Sequence, residues 1–290
     1  MIKNFKIFFG LLRIHHYIKN LFIFLPLFFA LKITDFNLLF ETFISFISFS
    51  MLASSVYIFN DLVDFKNDQI HPRKRNRAIA SGLVKHNFAY ITIIILLALS
   101  LTISYLINRN VFIIFLVYGI LNIFYSLYLK KIALLDVCTL AIGFILRLMV
   151  GSFTTNIHLS MWIVIMTFLL SLFLAFGKRR DDIIIYKETG ISSNNSKNNY
   201  NIKFLDSAMN LMAGVVIVSY INYITSIISD GDKNQYLYFT AFFVIIGILR
   251  YMQLTIFFNK SANPVKILFT DYFLQIIIFF WGITFWFLLY

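Results

Sequence analysis

Charge is scarce in this chain and cysteine is nearly absent. Of 290 residues only 13% are Asp, Glu, Lys or Arg, whereas 60% are apolar and 19% aromatic. So little charge cannot cover a water-soluble domain, and a mean hydropathy of +0.82 excludes one. The single cysteine, Cys138, excludes an intrachain disulfide, leaves the redox compartment unreadable, and reads as a small core residue inside an apolar run. No sustained two-residue alternation is present, which argues against β-barrel spans. Nucleotide-binding loops, zinc motifs and a serine-hydrolase elbow are missing too. Lys3 and Lys6 precede an apolar stretch as in a secretion signal, yet Arg13, His15, His16 and Lys19 interrupt it and no small-residue cleavage pattern follows. Residues 1–16 are therefore expected to be a retained interfacial lead-in.

What the chain does contain is long apolar runs, from end to end, leaving no segment for a separate soluble domain. Hydropathy places nine candidate spans, near Leu21–Leu31, Leu38–Asn60, Asn87–Ile107, Val111–Leu129, Leu134–Phe153, Ser160–Gly177, Phe204–Ser229, Leu237–Phe258 and Ile267–Tyr290. The first is short unless it begins near Ile14 and takes Lys19 into its wall. The expected fold class is an all-α polytopic membrane protein, one integral membrane catalytic domain over residues 1–290, arranged as two four-helix units plus a closing helix.

Twenty of the 25 Lys and Arg residues fall on the side that holds the N-terminus, three on the other, and two, Arg147 and Arg250, within spans. This bias predicts a cytoplasmic N-terminus. The formal charge of +12 is mostly a topology signal, because a nucleic-acid binder would need a basic module and none is present. Two cytoplasmic loops, Asp61–His86 and Lys178–Lys203, are long, follow the second and sixth spans, and are expected to face a shared bundle centre. Within the second loop the Ser192–Asn201 stretch, rich in Ser and Asn, is expected to be mobile.

The string Asn60-Asp61-Leu62-Val63-Asp64-Phe65-Lys66-Asn67-Asp68 carries the clearest chemistry. If the second span continues helically, Asp61, Asp64 and Asp68 lie at i, i+3 and i+7 on one face. Three carboxylates on one stripe repel one another, and a divalent cation relieves the repulsion. Mg²⁺ prefers a few carboxylate oxygens completed by substrate phosphate and water. Arg73, Lys74, Arg75 and Arg77, just beyond, suit outer phosphate oxygens. The second loop opens with Lys178-Arg179-Arg180-Asp181-Asp182, an orientation signal or a clamp for a second anionic group. Arg147 sits mid-span, where an arginine costs about 2.5–3.5 kcal/mol on insertion scales, so it is expected to face the bundle interior and meet an anion or backbone carbonyls. Asp136 is a poor partner, about 16 Å away along the same helix. Lys19, Tyr125 and Lys130 near the cytoplasmic level read as interface anchors or as site residues.

Asn60 to Asp68 resembles the NDxxDxxxD signature of the UbiA prenyltransferase superfamily, helical membrane enzymes that use Mg²⁺ to bind a diphosphate-bearing substrate. His71-Pro72-Arg73-Lys74-Arg75-Asn76-Arg77-Ala78-Ile79-Ala80-Ser81-Gly82 and Leu172 to Arg180 are similar to the branch that includes decaprenyl-phosphate phosphoribosyltransferases. Weaker similarity lies at Arg13 with Tyr17 to Asn20, at Tyr125-Ser126 with Leu129-Lys130, and at Gly143 to Arg147. Two departures stand out. Ile14 and Tyr17 replace a proline and a tryptophan usual in that branch. Where aromatic prenyltransferases carry a second aspartate-rich motif, this chain has Lys178, Arg179 and Arg180, with Asp181 and Asp182 behind them.

The resemblance implies a UbiA-like bundle with a cytoplasm-facing central cavity in the plasma membrane. It implies transfer of 5-phosphoribosyl from phosphoribosyl diphosphate to a polyprenyl phosphate. In that reading Asp61, Asp64 and Asp68 hold Mg²⁺, and Asn60 orients a ligand. Lys74 and Arg77, with Arg73, hold donor phosphates. Lys178 and Arg179 hold an acceptor or donor phosphate, and Lys19, Tyr125, Lys130 and Arg147 assist. One alternative is prenyl transfer from a prenyl diphosphate to an aromatic acceptor. Another, of a different class, is a carrier for anionic solutes, although carriers need access from both faces. Chain length of the isoprenoid and oligomeric state are left open by the sequence.

Overall fold

The computed structural model describes residues 2–72, 74–190, 200–229, 235–258 and 264–289. All regular structure among them is helical: α1 Ile2–Leu12, a 3₁₀ helix Ile14–Phe24, α2 Leu25–Phe29, α3 Phe36–Val63, α4 Phe65–Ile70, α5 His86–Ile107, α6 Arg109–Leu127, α7 Leu135–Thr155, α8 Met161–Thr189, α9 Ile202–Ser229, α10 Phe239–Met252, α11 Pro264–Thr270 and α12 Tyr272–Leu289, with short 3₁₀ turns between. Among the described residues eight helices are long and apolar enough to cross a membrane. The first expected span lies in the shorter apolar stretch Ile14–Phe29. The protein is a multi-pass membrane protein.

Two compact units result. The first is built mainly from Met1–His158, the second from Leu159–Glu188 with Asn198–Tyr290. In the first, α3 packs against α5, α6, α7 and the 3₁₀ helix. Its buried residues include Ser45, Ser48, Ser50, Ala53, Ser54 and Ser55. Such small side chains let neighbouring backbones approach, which is how helices pack where lipid gives no hydrophobic drive. Phe49, Phe115 and Tyr118 fill the space between, with Phe49 edge-on to Phe115 at 5.3 Å.

The 3₁₀ helix owes its register to α3. Tyr17 Oη lies 2.8 Å from Ser54 Oγ, and Asn20 Nδ2 donates to Ser50 Oγ at 2.9 Å. Three residues of 3₁₀ helix rise about 6 Å, as do four of α-helix, so partners spaced by three on one chain meet partners spaced by four on the other. One turn further, Gly151 of α7 lies so close to the Ile23 carbonyl that any Cβ there would collide with it. Glycine is what lets this segment lie against α7.

The second unit carries one departure from the sequence reading. Lys178 to Thr189 is not a loop but the continuation of α8. No proline interrupts the run, and Arg179 pairs with Asp182 at 2.7 Å, an i, i+3 contact that favours helix. Opposite Gly177 stands the Tyr251 hydroxyl, 2.9 Å from where a Cβ would be. Arg180 donates to Asp206 at 2.7 Å and to the Thr255 carbonyl at 2.7 Å, the latter in a π-helical turn, Gln253–Phe257. Asp206 of α9 is thus the ion-pair partner of Arg180. Asp271 caps α12 by accepting from the Leu274 amide at 2.9 Å and also binds Arg250. The Ser192–Asn201 stretch lies outside the described residues for 192–199.

Candidate active site

At its C-terminal end α3 stops at Val63, and Asp64 (φ −90°, ψ 3°) joins it to α4. Hydrogen bonding runs through the joint, Asp64 N to Asn60 O and Asp68 N to Asp64 O, both 2.9 Å. The one-face spacing therefore survives. Asp61, Asp64 and Asp68 are all buried, while Val63, Lys66 and Asn67 point outward.

Each carboxylate is held by cations from other elements. Asp61 pairs with Arg13 and accepts from Arg77 Nη1 at 3.0 Å. The same Nη1 donates to Asp68 at 2.5 Å, and Lys74 Nζ stands 4.0 Å from Asp68. Burial pushes the Asp68 carboxyl up from the ordinary range, against the downward pull of Arg77 and Lys74. Asp64 takes a separate partner, Lys130, at 2.5 Å, and Lys130 also reaches Asn60 Oδ1 at 3.5 Å. Lys130 arrives on the short turn between α6 and α7 and is almost fully buried.

Of the residues singled out from the sequence, Asp61, Asp68, Lys74 and Arg77 share one network of ion pairs, and Asn60, Asp64 and Lys130 form a second group beside it along the same helical stripe. Arg13 belongs to the first network and was not among the expected site residues. It sits in the left-handed region (φ 54°, ψ 46°) at the turn from α1 into the 3₁₀ helix. That conformation costs a non-glycine residue about 1–3 kcal/mol and is sustained here beside the ion pair with Asp61. The sequence signal was the break that Arg13 makes in the first apolar run. Arg73 lies outside the described residues. Tyr125 is half-buried near the end of α6. In the second unit Lys178 is exposed and Arg179 buried against Asp182.

Arg147 of α7 is buried within the first unit and answers the sequence expectation with neutral partners. Nε donates to Asn20 Oδ1 at 2.8 Å, Nη1 to the Gly143 carbonyl at 2.6 Å and Nη2 to the Tyr118 hydroxyl at 3.0 Å. Phe49, Tyr118 and Phe144 surround its guanidinium at 5.1–5.3 Å. Asn20 and Tyr118 escaped the sequence reading because nothing local marks them.

Among the described residues no group of three or more His, Cys, Asp or Glu side chains gathers as a cage around one metal ion. A smaller donor set is present. Asp61 and Asp68 both reach a single guanidinium nitrogen, so one cation already bridges two buried carboxylates. All-oxygen donors in that arrangement fit Mg²⁺, which uses one or two carboxylates and takes its other ligands from phosphate and water.

A helical membrane bundle with a buried cluster of carboxylates, arginines and lysines defines a membrane protein equipped to handle anionic groups. Residues 21–281 match the UbiA prenyltransferase family, and the chain belongs to it. It is 31% identical over 245 residues to the decaprenyl-phosphate phosphoribosyltransferase of Mycolicibacterium smegmatis, covering 82% of this chain and 77% of that protein. The enzyme of the same name from Mycobacterium tuberculosis H37Rv is 29% identical over 240 residues, covering 83% and 78%. Among solved structures, a UbiA homologue from Archaeoglobus fulgidus bound to DMAPP and Mg²⁺ shares the fold, with a TM-score of 0.70 at 18% identity over 96% of this chain and 98% of that one.

Proposed function

We propose that this transferase moves 5-phosphoribosyl from phosphoribosyl diphosphate to a polyprenyl phosphate at the cytoplasmic face of the plasma membrane, its N-terminus cytoplasmic and the chain working as one catalytic domain. Two phosphoribosyltransferase relatives near 30% identity over most of the chain support the substrate class. The observation that carries the mechanism is the buried carboxylate pair Asp61 and Asp68 bridged by one cation, with further cations on every side.

Asp61 and Asp68, with Asp64 beside them, would hold Mg²⁺, which when bound neutralises charge building on the leaving diphosphate. Displaced from the carboxylates, Arg77 and Lys74 are placed to bind donor phosphate oxygens, Arg77 through paired donors. Asn60 and Lys130 orient Asp64. An acceptor phosphate oxygen forms a bond to the anomeric carbon as the bond from that carbon to diphosphate breaks, and diphosphate leaves with the electron pair. The acceptor is already anionic, so no strong base is needed, and positioning and charge stabilisation carry the rate. In the second unit, Lys178 and Arg179 stand where aromatic prenyltransferases carry a second aspartate-rich motif. Fixed cations there disfavour a second metal, which supports phosphoribosyl over prenyl transfer.

Label in phosphoribosyl diphosphate tests the reading. Given Mg²⁺ and a polyprenyl phosphate, purified protein should move the label from the aqueous phase into extractable lipid. Proteoliposomes that accumulate the label as free solute, with none in lipid, would mark a carrier instead.

A further inference from the structure

Lys19 of the first unit lies outside the carboxylate cluster. Lys19, on the 3₁₀ helix, is half-buried and has no hydrogen-bond or ion-pair partner among the described residues. Its charged neighbours are Arg147 and Arg13, both cations. Arg13 spends its charge on Asp61, whereas Arg147 is held only by neutral groups. Six residues of 3₁₀ helix put Lys19 about 12 Å along the axis from Arg13. The 2.8 Å bond from Arg147 to Asn20 brings that guanidinium against the chain neighbour of Lys19; two positive charges so placed without an acid are expensive, and intramembrane ionisable groups of this kind mark ligand sites.

We infer that Lys19 and Arg147 form an anion subsite of their own, built for a phosphate monoester. The inference rests on the phosphoribosyl-transfer reading only for the identity of that monoester. Charge and donors set the class. Two cations match a group that carries about −1.5 to −2 at neutral pH. Lys19 has three donors uncommitted, and three of the five N–H groups of Arg147 are engaged, leaving two. A metal ion is excluded from this place by repulsion. Asn20 fixes the arrangement from behind: its Oδ1 accepts from Arg147 while its Nδ2 is tied to Ser50, so the guanidinium plane is set before any ligand arrives. Two substrates of the proposed reaction offer this chemistry, the headgroup of the lipid phosphate and the 5-phosphate of the donor.

The test measures binding, without Mg²⁺ and without phosphoribosyl diphosphate, so that failure of phosphoribosyl transfer would sink the functional reading and leave this site to be judged separately. Full-length protein in detergent is titrated with farnesyl phosphate and farnesol, and with ribose 5-phosphate and ribose. Wild type should bind a phosphate and not its parent alcohol. Lys19→Gln should weaken that binding about ten-fold or more, and Lys19→Arg should restore it. Loss confined to farnesyl phosphate assigns the subsite to the acceptor, and loss confined to ribose 5-phosphate assigns it to the donor. Ligand-free Lys19→Gln should melt no lower than wild type, since the ammonium removed has no partner to lose. The inference is overturned if wild type binds neither phosphate, if Lys19→Gln binds as wild type does, or if that variant melts several degrees lower without ligand.

Discussion

Asp64→Asn should lower turnover by about two orders of magnitude or more, in line with losing one preorganised group that acts on developing charge. The substitution also leaves Lys130 buried without its acid, and removing one partner of a buried ion pair costs about 3–5 kcal/mol. Low activity alone would therefore not separate chemistry from folding. The double variant Asp64→Asn with Lys130→Met removes both charges and should recover much of the melting temperature while staying inactive. Recovery of turnover along with stability would show that Asp64 serves the fold and not the reaction.

Withdrawing divalent cations with excess chelator should abolish transfer, and Mg²⁺ should restore it. The melting temperature should fall far less than in Asp64→Asn. In the metal-free arrangement Arg13, Arg77, Lys74 and Lys130 already neutralise the three carboxylates, so loss of the ion leaves no buried charge uncompensated. Full activity in chelator would remove the metal from the account. A collapse of the fold in chelator would make the ion structural.

The helical membrane architecture was legible because a helix in lipid must satisfy its backbone internally and therefore writes itself as a long apolar run. The carboxylate stripe was legible for a similar reason: Asp61, Asp64 and Asp68 are local, and the helical period alone predicts their common face. What the period could not supply was which cation would meet which acid. Lys130 reaches Asp64 across 66 positions and Arg13 reaches Asp61 across 48. Arg147 shows the limit most clearly. Its depth demanded interior partners, but Asn20 and Tyr118 come from two other helices and carry no charge that a sequence reading would seek. The 3₁₀ pitch of Ile14–Phe24 was equally hidden, because it follows from matching Tyr17 and Asn20 to serines on α3 and not from any preference of the segment itself. Lys178 to Thr189 reads as a loop in the sequence because its charges end the apolar run, whereas it continues α8. Charged residues end a membrane crossing without ending a helix, and Arg179 with Asp182 continues it.

The mass of the lipid product tests the central claim most directly. Purified protein is offered Mg²⁺, phosphoribosyl diphosphate, a prenyl diphosphate, a polyprenyl phosphate and an aromatic acid together, and the extract is analysed by mass spectrometry. The account predicts one product, the polyprenyl phosphate enlarged by a phosphoribosyl group, with one diphosphate released for each. A prenylated aromatic acid, with phosphoribosyl diphosphate left unconsumed, would contradict it and assign the chain to aromatic prenyl transfer.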